Sequence, residues 1–344
     1  MRFIQFENAS GRRVGLVRDT RVIDLTSANP AWVSVYEIAW QALEQGITLP
    51  SAIQAVLTRC ADESPVEYGA LLDGSAGRLL PPVDHPDQRR VLIAGTGLTH
   101  TGSMQSRDQM HADESAPTRE PQTDSARMFQ MGLNGGTPES GARGVAPEWF
   151  YKGDGWNLRG SGDALEIPAF AEDGGEEPEI AGIYLVDAQG QPHRLGFCLG
   201  NEWSDHQTEK VNYLYLAPSK LRTCSIGPEL VVGFDFAHVD LECSVTRGDD
   251  TLYHSGPLLS GEQNMCHSLA NCEDHHFKYP QHRRPGDLHV HYFGTSQLSF
   301  SQRDWSFEDG DVITIRSPQF GAPLINSVRR IPENRTPVRV QNWG

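Results

Sequence analysis

No apolar run in the 344 residues approaches the roughly 18 needed to cross a bilayer, so nothing in the chain reads as a membrane span. Its start, MRFIQFENASGRRVGLVRDT, lacks the apolar core and small-residue cleavage site of a secretory signal, which predicts a cytoplasmic protein. Positive charge is scarce. Against 45 Asp and Glu stand 29 Lys and Arg, a formal net charge of −16, and this excludes a nucleic-acid footprint as the expected mode of binding. Cysteine is sparse as well: six residues, at 60, 198, 224, 243, 266 and 272, form no CxxC pair and predict reduced, buried thiols rather than a disulfide scaffold. Nucleotide and nucleophile motifs are missing. Gly95-Thr96-Gly97 has His100 where the third glycine of GxGxxG belongs, no GxxxxGK[ST] occurs, and Gly160-Ser161-Gly162 offers a turn serine but no GxSxG elbow.

What the chain does contain is enough to bury a full core: 38% hydrophobic residues plus 34 glycines. Short β-type runs at Arg2–Phe6, Arg13–Val17 and Arg21–Leu25 are followed by helical spacing over Val33–Glu44 and Ala52–Arg59, a small N-terminal α+β domain spanning 1–85. The proline-rich stretch RLLPPVDHPDQRR reads as a linker ending near Arg90. From 90 to 344 a second domain opens on the strand VLIAG. A polar insertion over 104–147 follows, with one helix-capable piece at Met104–His111, and reads as a lid. After Trp149 β-type runs dominate, interrupted by one helix near Gly261–Phe277, so the expected class is α+β, mostly β.

The strongest chemical signal is EDGGEEPEI, where Glu177 and Glu179 sit two apart at the entry to an apolar strand and so share a face. The next strand ends in Glu202 and Asp205, and a hairpin between the two would add a third carboxylate. Three carboxylates at one point repel unless a cation neutralises them, and hard oxygen donors suit Mg²⁺, Mn²⁺ or Ca²⁺. The same pattern also fits a solvated acidic loop before a strand. Six of thirteen histidines fall between 267 and 291. His289 and His291 have zinc-like spacing, but no third ligand accompanies them. Lys152 and Lys220 sit at the edges of apolar runs, where a lysine either snorkels outward or is held in a cleft against an anion.

The order of these pieces resembles the fumarylacetoacetate hydrolase superfamily over roughly Val91 to Val328. RVLIAGTGLTH, with His100, stands where that family has a strand and an Asn-Tyr-x-x-His segment, and Trp149-Phe150-Tyr151-Lys152 resembles its apolar pair before lysine. Glu177-Pro178-Glu179 matches its Glu-x-Glu pair. Asn201-Glu202-Trp203-Ser204 matches Asn-Asp-Val-Ser, with glutamate lengthening the arm. Lys220 before Ser225-Ile226-Gly227-Pro228, Pro285-Gly286-Asp287 through Gly294-Thr295, and the closing Asp309-Gly310-Asp311-Val312 and Leu324-Ile325-Asn326-Ser327-Val328 follow in order. The resemblance implies a β-roll catalytic domain, a homodimer, and a Mg²⁺ or Mn²⁺ ion held by Glu177, Glu179 and Glu202 that chelates a 2-oxo acid.

One departure bears on the reaction. In the C–C hydrolases of the family a glutamate follows the lid histidine by three residues and the pair activates water, whereas Ser103 stands there in this chain. The segment TGLTHTGS with SRDQMH resembles instead the branch acting on 2-keto-3-deoxy sugar acids. The expected activity is dehydration of a 2-keto-3-deoxy-pentonate to 2,5-dioxopentanoate, with Lys220 for enolate stabilisation or proton transfer and His100 as acid. Thr295 and Gly294 are expected to hold the carboxylate, and Lys152, Ser161 and Gln207 to line the pocket. A C–C hydrolase of a 2,4-dioxo acid is the alternative in the same fold, and a non-catalytic sugar-acid-binding protein the alternative from another class.

Overall fold

The computed structural model describes residues 1–57, 66–102, 123–332 and 336–344. Cys60, Ser103 and the helix expected at Met104–His111 lie outside the described residues. In chain order the strands are β1 (Arg2–Asn8), β2 (Gly11–Arg18), β3 (Arg21–Asp24), β4 (Val66–Glu67), β5 (Arg78–Leu80), β6 (Val91–Gly97), β7 (Glu148–Gly153), β8 (Leu158–Arg159), β9 (Ala164–Ile167) and β10 (Pro178–Val186). There follow β11 (Pro192–Asn201), β12 (Cys224–Ile226), β13 (Leu230–Val231), β14 (Val239–Arg247), β15 (Asp250–His254), β16 (Leu258–Ser260), β17 (Leu288–Tyr292), β18 (Val312–Arg316) and β19 (Leu324–Arg330). Among the described residues these make two sheets. The larger runs β4-β3-β2-β1-β13-β11-β10-β17-β6-β7, with β5, β12 and β8 attached, and the smaller runs β15-β14-β18-β19-β9 with β16 attached. Because β1 pairs with β13 (Phe3 opposite Leu230), the N-terminal strands continue the sheet that carries the later ones.

Strand β10 is buried along its whole length, which is why its sequence reads as one apolar run rather than an alternation. Ala181, Ile183 and Leu185 pack on one side with Val290 and Tyr292, and Ile180, Tyr184 and Val186 pack on the other with Phe197 and Phe293. Two local expectations are corrected. The helix expected over Gly261–Phe277 is a single turn at Glu262–Asn264 and a separate helix, Leu269–Phe277, started by the Ser268 hydroxyl accepting from Asn271 N. Within the polar 104–147 segment, Asp124–Gly135 forms a helix capped by Thr123; its buried residues are Ser125, Phe129 and Gly132, too few apolar positions to show as a periodic stripe.

Register divides the central strands into two chemical faces. Ala181 lies opposite Tyr292, Gly182 opposite His291, Gly95 opposite Phe150, and Thr96 opposite Trp149. Glu179, Tyr292, Phe150 and Glu148 therefore share one face, while His289, His291, Thr96 and Trp149 share the reverse. On that reverse face His289 and His291 do not converge as zinc ligands. His276 Nε2 bonds His289 Nδ1 at 2.9 Å, His291 Nε2 bonds Thr96 Oγ1 at 2.7 Å, and Trp149 Nε1 donates to His276 Nδ1 at 3.2 Å. The rings are buried and neutral. Burial, and then the neighbouring imidazoles, push His289 and His291 down to about 3 and hold His276 well below the usual range.

A depressed histidine pKa in the fold makes stability complete above the unfolded value, near 6.5, and lost as pH falls below it, because the unfolded chain takes up protons that the fold refuses. At pH 5 each of His289 and His291 should destabilise the fold by about 2 kcal/mol relative to pH 7. The melting temperature followed by circular dichroism should drop across that interval, and less so in His289→Asn. Identical melting at pH 7 and pH 5 would show that these rings are already charged or exposed.

Candidate metal centre

The hairpin β10–β11 sets Pro178 opposite Asn201 and Glu179 opposite Gly200, so Glu177, Glu179 and Glu202 meet where the two strands end. The open end of the hairpin is held by Glu202 N donating to Glu177 O at 3.1 Å and by Glu177 N donating to the Asn201 side chain at 3.2 Å. One oxygen from each of the three carboxylates lies within 4.8 Å of the others, and all three side chains are buried; among the described residues no other set of three metal-ligand side chains is so close. The rest of the acidic run is structural. Glu176 accepts from Ser299 N and Oγ at 2.6 and 2.8 Å, and Asp173 accepts from Arg303 and from Phe307 N, so these two anchor the segment while Glu177 and Glu179 point to the centre.

Two ammonium groups balance the charge. Lys220 bridges Glu177 and Glu202, with its ammonium 4.7 Å from the Phe150 ring, and Lys152 contacts the second Glu202 oxygen at 2.5 Å. His206 adds a bond to Glu177 at 3.0 Å. The three carboxyls consequently differ. Burial pushes Glu177 up, but Lys220 and His206 together hold it well below the usual carboxylate range. Glu179 is driven well above it by burial and by the charges of Glu177 and Glu202. Burial and Glu177 also raise Glu202, with the two lysines opposing.

The remaining expected residues fall into place as follows. Gly294, at φ 91°, turns its N–H onto Glu179 Oε2 at 2.7 Å, a conformation that favours glycine, and a side chain there would collide with Thr99. The Thr295 hydroxyl is engaged by Gln297 O and the Ser161 hydroxyl by Ile325 N, and Gln207 stands exposed while its neighbour His206 reaches the centre. His100 is buried against the Thr99 hydroxyl. Thr99 Oγ1 donates to Phe293 O at 2.7 Å, so it can only accept from His100 Nδ1 at 2.9 Å, which puts the proton on Nδ1. Nε2 is then a bare acceptor with no hydrogen-bond partner among the described residues, and burial pushes the ring down to about 4. An acid role does not suit that tautomer.

Two residues escaped the sequence reading. Glu148, buried, lies on the inward face of β7 with Phe150, opposite Gly97, and accepts from Tyr213 Oη at 3.0 Å. A side chain at Gly97 would collide with its carboxyl group, so the bare glycine is what admits Glu148. The burial alternation of WFYK signals the inward face, but a glutamate ahead of it reads as a surface charge. His206 was hidden because only the fold brings the turn after Asp205 onto Glu177.

No protein-family model and no curated protein sequence matches the chain. Solved structures do. A hexagonal crystal form of 2-keto-3-deoxyarabinonate dehydratase aligns over 97% of this chain and 100% of its own at 18% identity, with a TM-score of 0.68. The D-arabinonate enzyme complexed with magnesium and 2,5-dioxopentanoate gives a TM-score of 0.67 at 17% identity over 97% and 100%. This is the fumarylacetoacetate hydrolase fold. It is shared by maleylpyruvate hydrolase from Sphingobium sp. SYK-6, in complex with manganese (II) ion and pyruvate, at a TM-score of 0.58 and 17% identity over 96% of this chain and 99% of that one. At such identity the likeness fixes the fold, and the chemistry rests on the residues above.

Because burial and two neighbouring carboxylates raise the proton affinity of Glu179, cation binding should be coupled to proton release, and Mn²⁺ affinity should rise with pH. Calorimetry in buffers of different ionisation enthalpy should register the released proton. Glu177→Gln, Glu179→Gln and Glu202→Gln should each weaken Mn²⁺ by about a hundredfold, roughly 3 kcal/mol. Undiminished binding in any one of them would remove that residue from the centre.

Proposed function

We propose that the protein is a metal-dependent hydro-lyase converting a 2-keto-3-deoxy-pentonate, of the L-arabonate or D-xylonate series, to 2,5-dioxopentanoate with loss of one water. The observation that carries this reading is a buried triad of glutamates beside two buried lysines, in a fold shared with a dehydratase complexed with magnesium and 2,5-dioxopentanoate. Glu177, Glu179 and Glu202 would hold Mg²⁺ or Mn²⁺, whose all-oxygen preference they fit. Such an ion, when bound, polarises a 2-oxo acid and acidifies its C3 protons.

The chain's own groups supply the proton transfers. The inward face of β7 runs from Phe150, against Lys220, to Glu148 one strand repeat of about 7 Å further along. Glu148 accepts a C3 proton. The C–H electron pair becomes the second bond between C3 and C4 as the C4–O bond breaks, and Lys220 gives a proton to the departing hydroxide. The product is a 5-hydroxy-2-oxo-3-enoate; loss of a C5 proton and return of a proton to C3 move its double bond to C4–C5, and the C5 enol so formed tautomerises to the aldehyde of the dioxo acid. His100, with a bare Nε2, accepts a hydrogen bond from a substrate hydroxyl instead of acting as acid. That same Nε2 favours a second reading, water activation in a C–C hydrolase of 2,4-dioxo acids, despite Ser103 in place of the glutamate partner.

The domain layout we propose is 1–85 and 90–344. We further propose a homodimer, supported by Trp149 and Tyr151 on the edge strand β7 and by Val211, Leu214 and Tyr215, all exposed apolar surface.

Mass spectrometry after incubation with Mg²⁺ should show a 2-keto-3-deoxy-pentonate losing one water and a 2,4-dioxo acid unchanged. Release of pyruvate from the dioxo acid with the deoxy acid untouched would select the hydrolase. Glu148→Gln should lower kcat by roughly 10²–10⁴ with Mn²⁺ binding intact.

A further inference from the structure

The Lys152 side chain is 0% exposed, and so is that of Glu202, its partner. Lys152 is the extra residue of a β-bulge: Ile93 pairs with Gly153 and Ala94 with Tyr151, so the strand skips it and turns its side chain inward. The backbone on either side is pinned, since Asn157 donates to Lys152 O at 2.7 Å and Gly153 adopts φ 119°. An ammonium has three protons. Four oxygens surround this one: Glu202 Oε1 at 2.5 Å, Trp203 O at 2.6 Å, Lys220 O at 3.0 Å and Glu202 O at 3.4 Å. Those oxygens come from two separate segments, the turn after β11 that carries Glu202 and the last residue of the helix Leu216–Lys220.

From this geometry we propose that Lys152 is a positioning residue, a buried clamp that fixes Glu202 and the backbone of Lys220 relative to each other and makes no contact with substrate. The sequence had suggested a pocket-lining role. The clamp rests on the metal-dependent reading of the triad for its catalytic consequence, but its geometry stands apart from which 2-oxo acid is used. A point charge with tetrahedral donors satisfies oxygens that converge from several directions. The flat guanidinium fork of arginine cannot do so in an enclosed space.

Lys152→Met and Lys152→Arg, each checked for folding by circular dichroism, should both lose activity. We expect kcat to fall about a hundredfold and Mn²⁺ binding to weaken about tenfold, the range found when a group supporting a metal ligand is removed, while KM for the 2-oxo acid stays within about threefold. Arginine should not rescue. A tenfold rise in KM with kcat retained, or recovery of activity in the arginine variant, would make Lys152 a substrate-binding residue and overturn the clamp. A crystal structure of the wild-type protein with Mn²⁺ and pyruvate decides the matter even where a variant fails to fold. Nζ should remain on the Trp203 and Lys220 carbonyls, and a hydrogen bond from Nζ to pyruvate would refute the proposal. Absence of turnover on every 2-keto-3-deoxy acid, with Mn²⁺ affinity and the pyruvate complex as expected, would defeat the dehydratase reading and leave the clamp standing.

Discussion

Three buried carboxylates within 4.8 Å of one another are the constraint around which the rest of this protein is organised. At an effective dielectric of about 20, each pair of full charges at that distance repels by about 3–4 kcal/mol, more than a marginally stable fold tolerates unanswered. The structure answers in three ways: an ammonium between Glu177 and Glu202, a second ammonium on the far oxygen of Glu202, and a Glu179 carboxyl whose hold on its proton is strengthened by burial and by its two charged neighbours. On the proposed reading, a divalent cation would take the place of that proton. The arrangement that solves a folding problem would then also serve the proposed 2-oxo acid chemistry.

Position follows from the sheet. The central strands keep one face for the carboxylates and the other for a neutral histidine layer, so the functional groups stand on a platform buried from both sides. Glycines at 95, 97 and 200 leave the space that Phe150, Glu148 and Tyr292 fill. The reverse face has its own cost. Buried imidazoles are tolerated only while neutral, which ties the integrity of the platform to pH.

Much of this was legible in the residues, and the limits have physical causes. The Glu-x-Glu pair before an apolar run and the carboxylate ending the next strand could be placed together because hairpin pairing and strand alternation are local rules. Lys220 was legible as a functional candidate for the same reason that its neighbours were: several short motifs in one order. Glu148 was not, because its partners, Gly97 and Tyr213, are brought to it by a strand pairing and by a turn some 65 residues away along the chain. The protonation of His100 was also invisible, since it depends on where the Thr99 hydroxyl donates. The helix Asp124–Gly135 was missed because it buries only Ser125, Phe129 and Gly132, the last against Cys266 and His267, rather than an apolar stripe. In each case the missing information was a contact between distant segments.

The central claim is that this site acidifies the proton next to a 2-oxo group and takes it with a carboxylate. Pyruvate tests that step in isolation, since its C3 protons can exchange but nothing can be eliminated. In deuterated buffer with Mg²⁺, the wild-type protein should wash deuterium into the pyruvate methyl group, as followed by proton NMR. Both a chelator and Glu148→Gln should abolish the exchange. Absence of exchange in wild-type protein that binds both Mg²⁺ and pyruvate, or exchange untouched by the loss of Glu148, would contradict the account.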